Sequence, residues 1–258
     1  MAPPASSYDA IPDFGLLYDH VPLYLERTDV RFYVEAAKSA GQVLELGCGT
    51  GRILVPIART GATIVGIDSS KQMLERCREN LSKESPAVQA RVTLHQRDMH
   101  GFDLGSTFPL IIAPFRVFQH LTTVDAQLRV LGTVARHLAP AGRFIFDVFN
   151  PRFAVLTGAD GSEREDTPDT RLPDGRTFRR AYRIARVRWV DQVSESELIY
   201  YVDGKRYIQA FEMRWFLPAE LQHLLARAGF RVRHLYGDFA RGPLVDGAPE
   251  QVVVAERA

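Results

Sequence analysis

The stretch Val43-Leu-Glu-Leu-Gly-Cys-Gly-Thr-Gly-Arg52 decides the fold. It joins a short apolar run, typical of a buried strand, to a glycine-rich turn, and a helical pattern continues to Arg59. Glycines at such a turn let a ligand approach the main-chain N–H groups at the start of a helix. Their spacing is G-x-G-x-G, with Glu45 two positions before the first glycine, and differs from the dinucleotide pattern G-x-G-x-x-G. The stretch therefore predicts a ligand site, although a purely structural turn is the alternative.

Two further acidic residues follow at the ends of the next apolar runs. Asp68 closes the run that begins at Thr63, about 20 residues after the glycines, where a carboxylate can accept from both hydroxyls of a ribose. Asp98 follows the third run, where it could meet an adenine amine. Asp68 alone could instead be a helix N-cap. Taken together, the three positions favour a nucleoside-containing ligand.

Around this stretch, apolar runs alternate with helical patterns as far as Asn150, which predicts βαβ units and a parallel sheet. The pattern then changes. Residues 157–176 hold little apolar content and are predicted to form a loop. Three strands of a meander are predicted over 178–190, 197–202 and 206–217, followed by a helix from Pro218 and two closing strands.

Glu45 to Gly51, Asp68 and Asp98 resemble the glycine loop, the ribose acid and the adenine-side acid of class I S-adenosylmethionine-dependent methyltransferases. The resemblance covers roughly residues 18–150 and the closing strands. It implies a doubly wound seven-stranded α/β sheet with an antiparallel β insertion before the last helix. It also implies S-adenosylmethionine as cofactor and S-adenosylhomocysteine as product. The implied cofactor-binding residues are Glu45, Gly47, Cys48, Gly49, Gly51, Asp68, Ser69, Met73, Asp98, Met99 and Phe115.

Four segments follow from this assignment. Residues 1–40 are expected to form an N-terminal lid and helical segment, and residues 41–150 the cofactor-binding core. Residues 151–217 are expected to hold the loop and the antiparallel insertion. Residues 218–258 return to the core as a helix and its closing strands.

Acceptor chemistry is expected after the fourth strand, in Pro114-Phe-Arg-Val-Phe-Gln-His-Leu121. His120 titrates near neutrality and is the candidate base, with a histidine bonded to the main chain at a helix entry as the alternative. Tyr18 is the second candidate catalytic residue, because Tyr18-Asp19 looks like the lid segment of small-molecule methyltransferases. The candidate substrate-binding residues are Arg116, Gln119, Phe149 and Asn150.

Tyr18-Asp19, Gln119-His120-Leu121, Phe146–Asn150 and the inserted meander also resemble, more loosely, the deoxysugar-amine N-methyltransferases. Where those enzymes carry a tandem aromatic segment after strand five, this chain has Phe149-Asn-Pro-Arg152. Their substrate therefore does not carry over from the resemblance.

Charge and cysteine content exclude several other classes. The 258 residues hold 32 basic and 31 acidic side chains, which argues against a general nucleic-acid binder. The two cysteines exclude a disulfide framework or a cysteine-rich zinc site, and no metal is implied. Cys48 could be a nucleophile, but a small loop filler is favoured because no base adjoins it. No signal peptide or apolar run of membrane-spanning length is visible, so a cytoplasmic protein is expected.

Arginines concentrate in residues 171–188. One interpretation is a surface that binds RNA or an acidic substrate. The other is an exposed strand whose charges prevent pairing at the edge of the sheet. The second interpretation is favoured. Aromatic residues of the same insertion could cover the site or form a homodimer interface.

The predicted function is methyl transfer to an N or O nucleophile of a small molecule by in-line displacement. The alternatives are a methyltransferase for tRNA or protein and a non-catalytic cofactor-binding subunit.

Overall fold

The computed structural model describes residues 11–258. Its helices are α1 Phe14–Asp19, α2 Pro22–Leu25, α3 Asp29–Lys38, α4 Leu54–Arg59, α5 Lys71–Ser82, α6 Pro86–Gln89, α7 Val124–His137, α8 Phe153–Thr157 and α9 Pro218–Arg227. Its strands are β1 Gln42–Leu46, β2 Thr63–Asp68, β3 Val92–Gln96, β4 Phe108–Ala113, β5 Leu138–Phe149, β6 Arg164–Arg171, β7 Thr177–Arg188, β8 Val193–Val202, β9 Lys205–Arg214, β10 Phe230–Tyr236 and β11 Glu250–Arg257. No helix among these residues is long and apolar enough to span a membrane.

The first sheet has seven strands in the order β10-β11-β5-β4-β1-β2-β3. Strands β1 to β5 run parallel, and β11 runs antiparallel to both β5 and β10. Helices cover both faces, with α7 and α9 in one apolar cluster and α3, α4 and α5 in the other. The predicted doubly wound fold is confirmed. Its strand order reverses between β1 and β4, which is where open α/β sheets bind ligands.

The insertion forms a second, antiparallel sheet in the order β6-β7-β8-β9. Two expectations for this region were wrong. The segment 157–176, expected to be a loop, contains β6, whose main chain pairs with β7 although its sequence lacks alternating apolar residues. The arginine-rich strand β7 was expected to be an exposed strand that resists edge pairing, but it pairs on both sides, with β6 and with β8.

A third apolar cluster joins the two sheets. Phe14 and Leu17 of α1 pack in it with Met73 of α5 and with Phe178 and Tyr200 of the second sheet. The N-terminal helices therefore lie between the cofactor-binding core and the insertion. Residues 1–10 of the expected lid lie outside the described residues.

Candidate active site at the carboxyl ends of the parallel strands

The glycine loop follows β1 in a conformation that excludes larger residues. Gly47 has φ +69°, and a Cβ there would lie 2.7 Å from Val117 Cγ2. Gly51 has φ +88°, and a Cβ there would lie 2.9 Å from Cys77 Sγ. Both positions combine left-handed backbone with close packing, so the chain needs glycine to make this turn.

Asp68, at the end of β2, holds the loop from the neighbouring strand. Its Oδ2 accepts the main-chain N–H of Gly49 at 2.8 Å, and its Oδ1 accepts that of Ser70 at 2.9 Å. The Ser70 hydroxyl in turn caps α5 by accepting from the N–H of Met73. These contacts fix the carboxylate of Asp68 beside the glycine loop.

Glu45 is a buried acid on β1, 1% exposed, and its Oε2 has no hydrogen-bond partner among the described residues. Burial raises the pKa of this carboxyl well above its usual range, the nearby Cys77 adds to the shift, and Arg52 opposes it. An unpartnered buried carboxyl is costly, and a cationic ligand group would relieve that cost. The Cys48 thiol beside it is unsuited to nucleophilic attack, because a hydrogen bond to Cys77 and burial raise its pKa.

Asp98 follows β3, and its carboxylate forms hydrogen bonds with a residue of the same turn. Its Oδ1 accepts the main-chain N–H of His100 at 2.9 Å and lies 2.5 Å from the His100 ring Nδ1. Burial acts to raise the pKa of Asp98, but these hydrogen bonds outweigh it and lower the pKa. The carboxylate is thereby kept ionised and oriented at the rim.

These groups border one cavity of about 940 Å³. Most of the candidate site residues line it, from both the cofactor and the acceptor set: Tyr18, Glu45, Gly47, Cys48, Gly49, Asp68, Ser69, Met73, Asp98, Met99, Phe115, Arg116, His120, Phe149 and Asn150. Gly51 and Gln119 are not in its lining. The volume falls in the range of small-molecule and cofactor sites.

Gln119, which was expected to contact the substrate, forms hydrogen bonds to the main chain instead. It is fully buried; its Nε2 donates to the carbonyl of Arg214 at 2.7 Å, and its Oε1 accepts the N–H of Phe149 at 2.9 Å. Its amide thereby ties the end of β5 to the end of β9. The second sheet is fixed to the first at this point.

His120 ends a short 3₁₀ helix, Val117–His120, and its ring lies 6.1 Å from that of Phe211 on β9. Burial lowers the pKa of His120, and a hydrogen bond to the main-chain carbonyl of Glu212 partly offsets this. The ring is therefore neutral at pH 7, and a neutral imidazole that donates from one nitrogen has a lone pair on the other. The alternative interpretation of His120, a histidine hydrogen-bonded to the main chain, is therefore correct as to the bond. This bond uses one ring nitrogen and leaves the other able to accept a proton, so His120 can still act as a base.

Phe115 and Arg116 are non-glycine residues with positive φ, +60° and +67°. The buried carboxylate of Asp147 on β5 accepts both of their main-chain N–H groups, at 2.8 and 3.2 Å, and the hydroxyl of Tyr33 at 2.6 Å. Burial raises the pKa of Asp147 to about 6, against the charge of Arg27, so the group is ionised at neutral pH. Asp147 thus stabilises a strained turn at the site, a role that sequence reasoning missed because the contact spans 32 residues.

An aromatic and cationic cluster also lines the cavity. The ring of Tyr24 lies 4.7 Å from that of Tyr18 and 4.9 Å from that of Phe115. The guanidinium groups of Arg27 and Arg52 lie 4.6 and 5.0 Å from the Phe115 ring centroid. Both arginines bind the buried carboxylate of Asp29. No local sequence pattern indicates these contacts.

The second sheet contributes the remaining wall. One face of β7, β8 and β9 presents Tyr182, Leu198, Gln209 and Phe211 to the cavity, with Ile184, Ser194 and Met213. At its edge Arg180, 2% exposed, binds Asp166 of β6 through two hydrogen bonds of 2.8 and 2.9 Å. This face, which we call the insertion roof, is mostly apolar.

Comparison with known proteins identifies relatives of this chain in sequence and in structure. A methyltransferase-domain family model matches residues 43–142. A Streptomyces protein named Cypemycin N-terminal methyltransferase is 28% identical over 83% of this chain and 82% of its own length. The dTDP-4-amino-2,3,4,6-tetradeoxy-D-glucose N,N-dimethyltransferase of Saccharopolyspora spinosa is 30% identical over 67% of this chain and 70% of its own. The CcbJ methyltransferase structure from Streptomyces caelestis has a TM-score of 0.79 and 25% identity, covering 98% of both chains.

The match at 30% identity spans more than two thirds of that relative, and the structural likeness extends over the insertion as well as the core. The glycine loop, the acids at the ends of β2 and β3, and the seven-stranded sheet are those expected from the sequence. The chain belongs to the S-adenosylmethionine-dependent methyltransferases.

Proposed function

We propose that this enzyme methylates an amine of a small-molecule acceptor, an amino sugar, with His120 as the base. The observation that carries the proposal is the lining of the cavity. One cavity is bordered by the glycine loop and the acids, and also by a neutral histidine and the apolar insertion roof. A deoxygenated sugar presents much apolar surface and few polar groups, which matches such a roof.

The residues around the glycine loop fit S-adenosylmethionine. The unpartnered Glu45 carboxyl is placed for a cationic group, and the ammonium of the methionine moiety is one. Asp68, at the end of β2, would accept from the ribose hydroxyls, and Asp98 with Met99 would lie at the adenine. Ser69, Met73, Cys48 and the glycines would complete the contact.

When bound, S-adenosylmethionine supplies a methyl group on a positively charged sulfur. The lone pair of the acceptor nitrogen would form the new C–N bond as the C–S bond breaks, and the electron pair of the C–S bond would stay on sulfur. The nitrogen then carries an excess proton, which His120 accepts on its free ring nitrogen. Tyr18 and Phe115 exclude water and align the nitrogen, and alignment provides most of the acceleration in such a displacement.

The relatives that are named for an acceptor and match two thirds or more of this chain favour nitrogen as the nucleophile, whereas those named O-methyltransferases match less than half of it. The Saccharopolyspora enzyme is named for an amino sugar, and the Streptomyces enzyme for an N-terminus, so each name specifies an amine. The arginines of β7 give the RNA alternative little support, since Arg180, Arg183 and Arg188 are paired with acids. Dimerisation through the insertion stays a prediction.

The test is methyl transfer by the purified enzyme to dTDP-4-amino-2,3,4,6-tetradeoxy-D-glucose and dTDP-3-amino-3,4,6-trideoxy-D-glucose, followed by mass spectrometry. We expect a methylated amine on at least one of the two sugars. A short peptide with a free N-terminus is assayed in parallel, because the similarity to the cypemycin enzyme favours an N-terminal amine as the second candidate acceptor. Methylation of the peptide and of neither sugar would replace the first proposal with the second.

A further inference from the structure

Gln209 is a buried polar residue on the insertion roof that the methyl-transfer step does not use. It lies on β9, is 2% exposed and lines the cavity. Its Oε1 has no hydrogen-bond partner among the described residues. Gln251, which lies outside the cavity, also has an unpartnered Oε1 among the described residues, but its Nε2 donates to the carbonyl of Phe216 at 2.8 Å. The amide of Gln127 on α7 likewise donates to the carbonyl of Leu121 at 2.7 Å. An orphaned buried amide is destabilising and requires an explanation.

The position of Gln209 relates it to the candidate base. Residues two apart on a strand share a face and lie about 7 Å apart, so Gln209 neighbours Phe211 on the roof. The ring of Phe211 in turn lies 6.1 Å from that of His120. A ligand group at Gln209 therefore lies on the same wall of the cavity as Phe211, the residue beside His120.

The residues around Gln209 limit which groups can form a hydrogen bond with its side chain. Its cross-strand neighbour Leu198 is apolar, as is Phe211. The other polar side chains of the roof are already engaged: the hydroxyl of Tyr182 lies 3.3 Å from that of Ser196, and the Ser194 hydroxyl donates to a main-chain carbonyl. The carbonyl oxygen of Gln209 is thus a side-chain acceptor of the roof that has no hydrogen-bond partner among the described residues.

The geometry points to Gln209 as a specificity-determining residue that accepts a hydrogen bond from a hydroxyl of the acceptor molecule. This inference rests on the proposed function and extends it: the substrate class becomes an amino sugar with a free hydroxyl near the amine. A site that contains a buried acceptor of this kind rejects an analogue without the hydroxyl, because the amide then stays unpartnered. In the free enzyme that amide lowers stability.

The experiment uses Gln209→Met, which keeps length and volume and removes the amide. The probes are dTDP-3-amino-3,4,6-trideoxy-D-glucose, with a hydroxyl next to its amine, and dTDP-4-amino-2,3,4,6-tetradeoxy-D-glucose, with no free ring hydroxyl. We expect wild type to prefer the first sugar in kcat/KM. The variant should reduce that preference about tenfold, mainly through KM, with unchanged affinity for S-adenosylhomocysteine.

Thermal unfolding of the free enzyme provides a readout that does not depend on the sugar. Gln209→Met should leave the melting temperature unchanged or raise it, whereas the control Gln127→Met should lower it, because that change leaves the Leu121 carbonyl without its partner. An unaltered preference between the sugars, or a loss of stability in Gln209→Met equal to that in the control, overturns the inference. If wild type methylates neither sugar, the proposed function fails. The comparison of melting temperatures then decides whether Gln209 is a binding or a structural residue.

Discussion

At the scale of single residues, Asp68 combines two roles. It anchors the glycine loop through Gly49 and Ser70, and we propose that it accepts from the ribose hydroxyls. Asp68→Ala removes charge-assisted hydrogen bonds to both the loop and the ligand, so we expect affinity for S-adenosylmethionine to fall at least tenfold by calorimetry. The control Asp169→Ala removes an exposed acid of β6 and should leave affinity unchanged. Unchanged affinity in Asp68→Ala would refute the ribose assignment.

The proposed role of His120 as a base predicts how the rate of methyl transfer depends on pH. A base is active only when it is unprotonated, and burial lowers the pKa of this imidazole below 6.5. The decline of kcat that protonation of His120 causes should therefore lie below pH 6.5. His120→Ala should abolish this decline and reduce the rate about 10²–10⁴-fold.

Rate measurements across pH on wild type, His120→Ala and the exposed control His223→Ala check this expectation. The control should reproduce the wild-type profile. Undiminished turnover in His120→Ala at every pH would show that alignment alone suffices for transfer.

Individual site residues were predictable where a motif carried them. The glycine spacing and the acids at strand ends are local signals, and those residues meet at one cavity, apart from Gly51. Asp147, Arg27 and Gln209 were missed because their roles depend on contacts between distant segments. Gln119 was adjacent to the candidate base in sequence, but its side chain points to the main chain of β5 and β9.

At the scale of elements, the insertion depends on a buried ion pair. Arg180 of β7 binds Asp166 of β6 and also donates to the hydroxyl of Tyr24 at 2.5 Å. Arg180→Met leaves a partly buried carboxylate unpaired at the cavity, and we expect a loss of about 3–5 kcal/mol in the free energy of unfolding. The double variant Asp166→Leu/Arg180→Met should recover much of this loss, because no charge remains unpaired.

Urea denaturation of the single and double variants measures the coupling. The control is Arg186→Met, since Arg186 is 69% exposed and lies 3.9 Å from Glu195. Its loss should be below about 1 kcal/mol. A cost for Arg180→Met no larger than the control's would mean that the pair does not hold β6.

The same ion pair explains why β6 was not predicted. Its sequence, Arg164-Glu-Asp-Thr-Pro-Asp-Thr-Arg171, has no apolar alternation, and only Thr167 is buried. The strand forms through its main-chain pairing with β7 and through Asp166, neither of which leaves a periodic signal. The elements of the seven-stranded sheet were predictable because their apolar runs are long and buried.

At the scale of the whole molecule, the third apolar cluster joins the two sheets, and the cavity is lined by both. The two sheets should therefore unfold together and respond together to a ligand. S-adenosylhomocysteine at one hundred times its dissociation constant adds about 2.7 kcal/mol to the native state. For a chain of this size, that corresponds to a rise of about 5–10 °C in the melting temperature.

The chain itself provides a way to follow each sheet. It contains two tryptophans, Trp189 and Trp215, whose rings lie 5.7 Å apart at one end of the second sheet. Tryptophan fluorescence therefore reports the second sheet, while far-ultraviolet circular dichroism reports both. We expect S-adenosylhomocysteine to shift both transitions by the same amount, because α1 packs on both parts of the molecule. Its Phe14 lies against Tyr200 of the second sheet, with ring centroids 5.6 Å apart, and shares an apolar cluster with Met73 of α5. A shift in dichroism with an unshifted fluorescence transition would show that the insertion unfolds independently of the cofactor site.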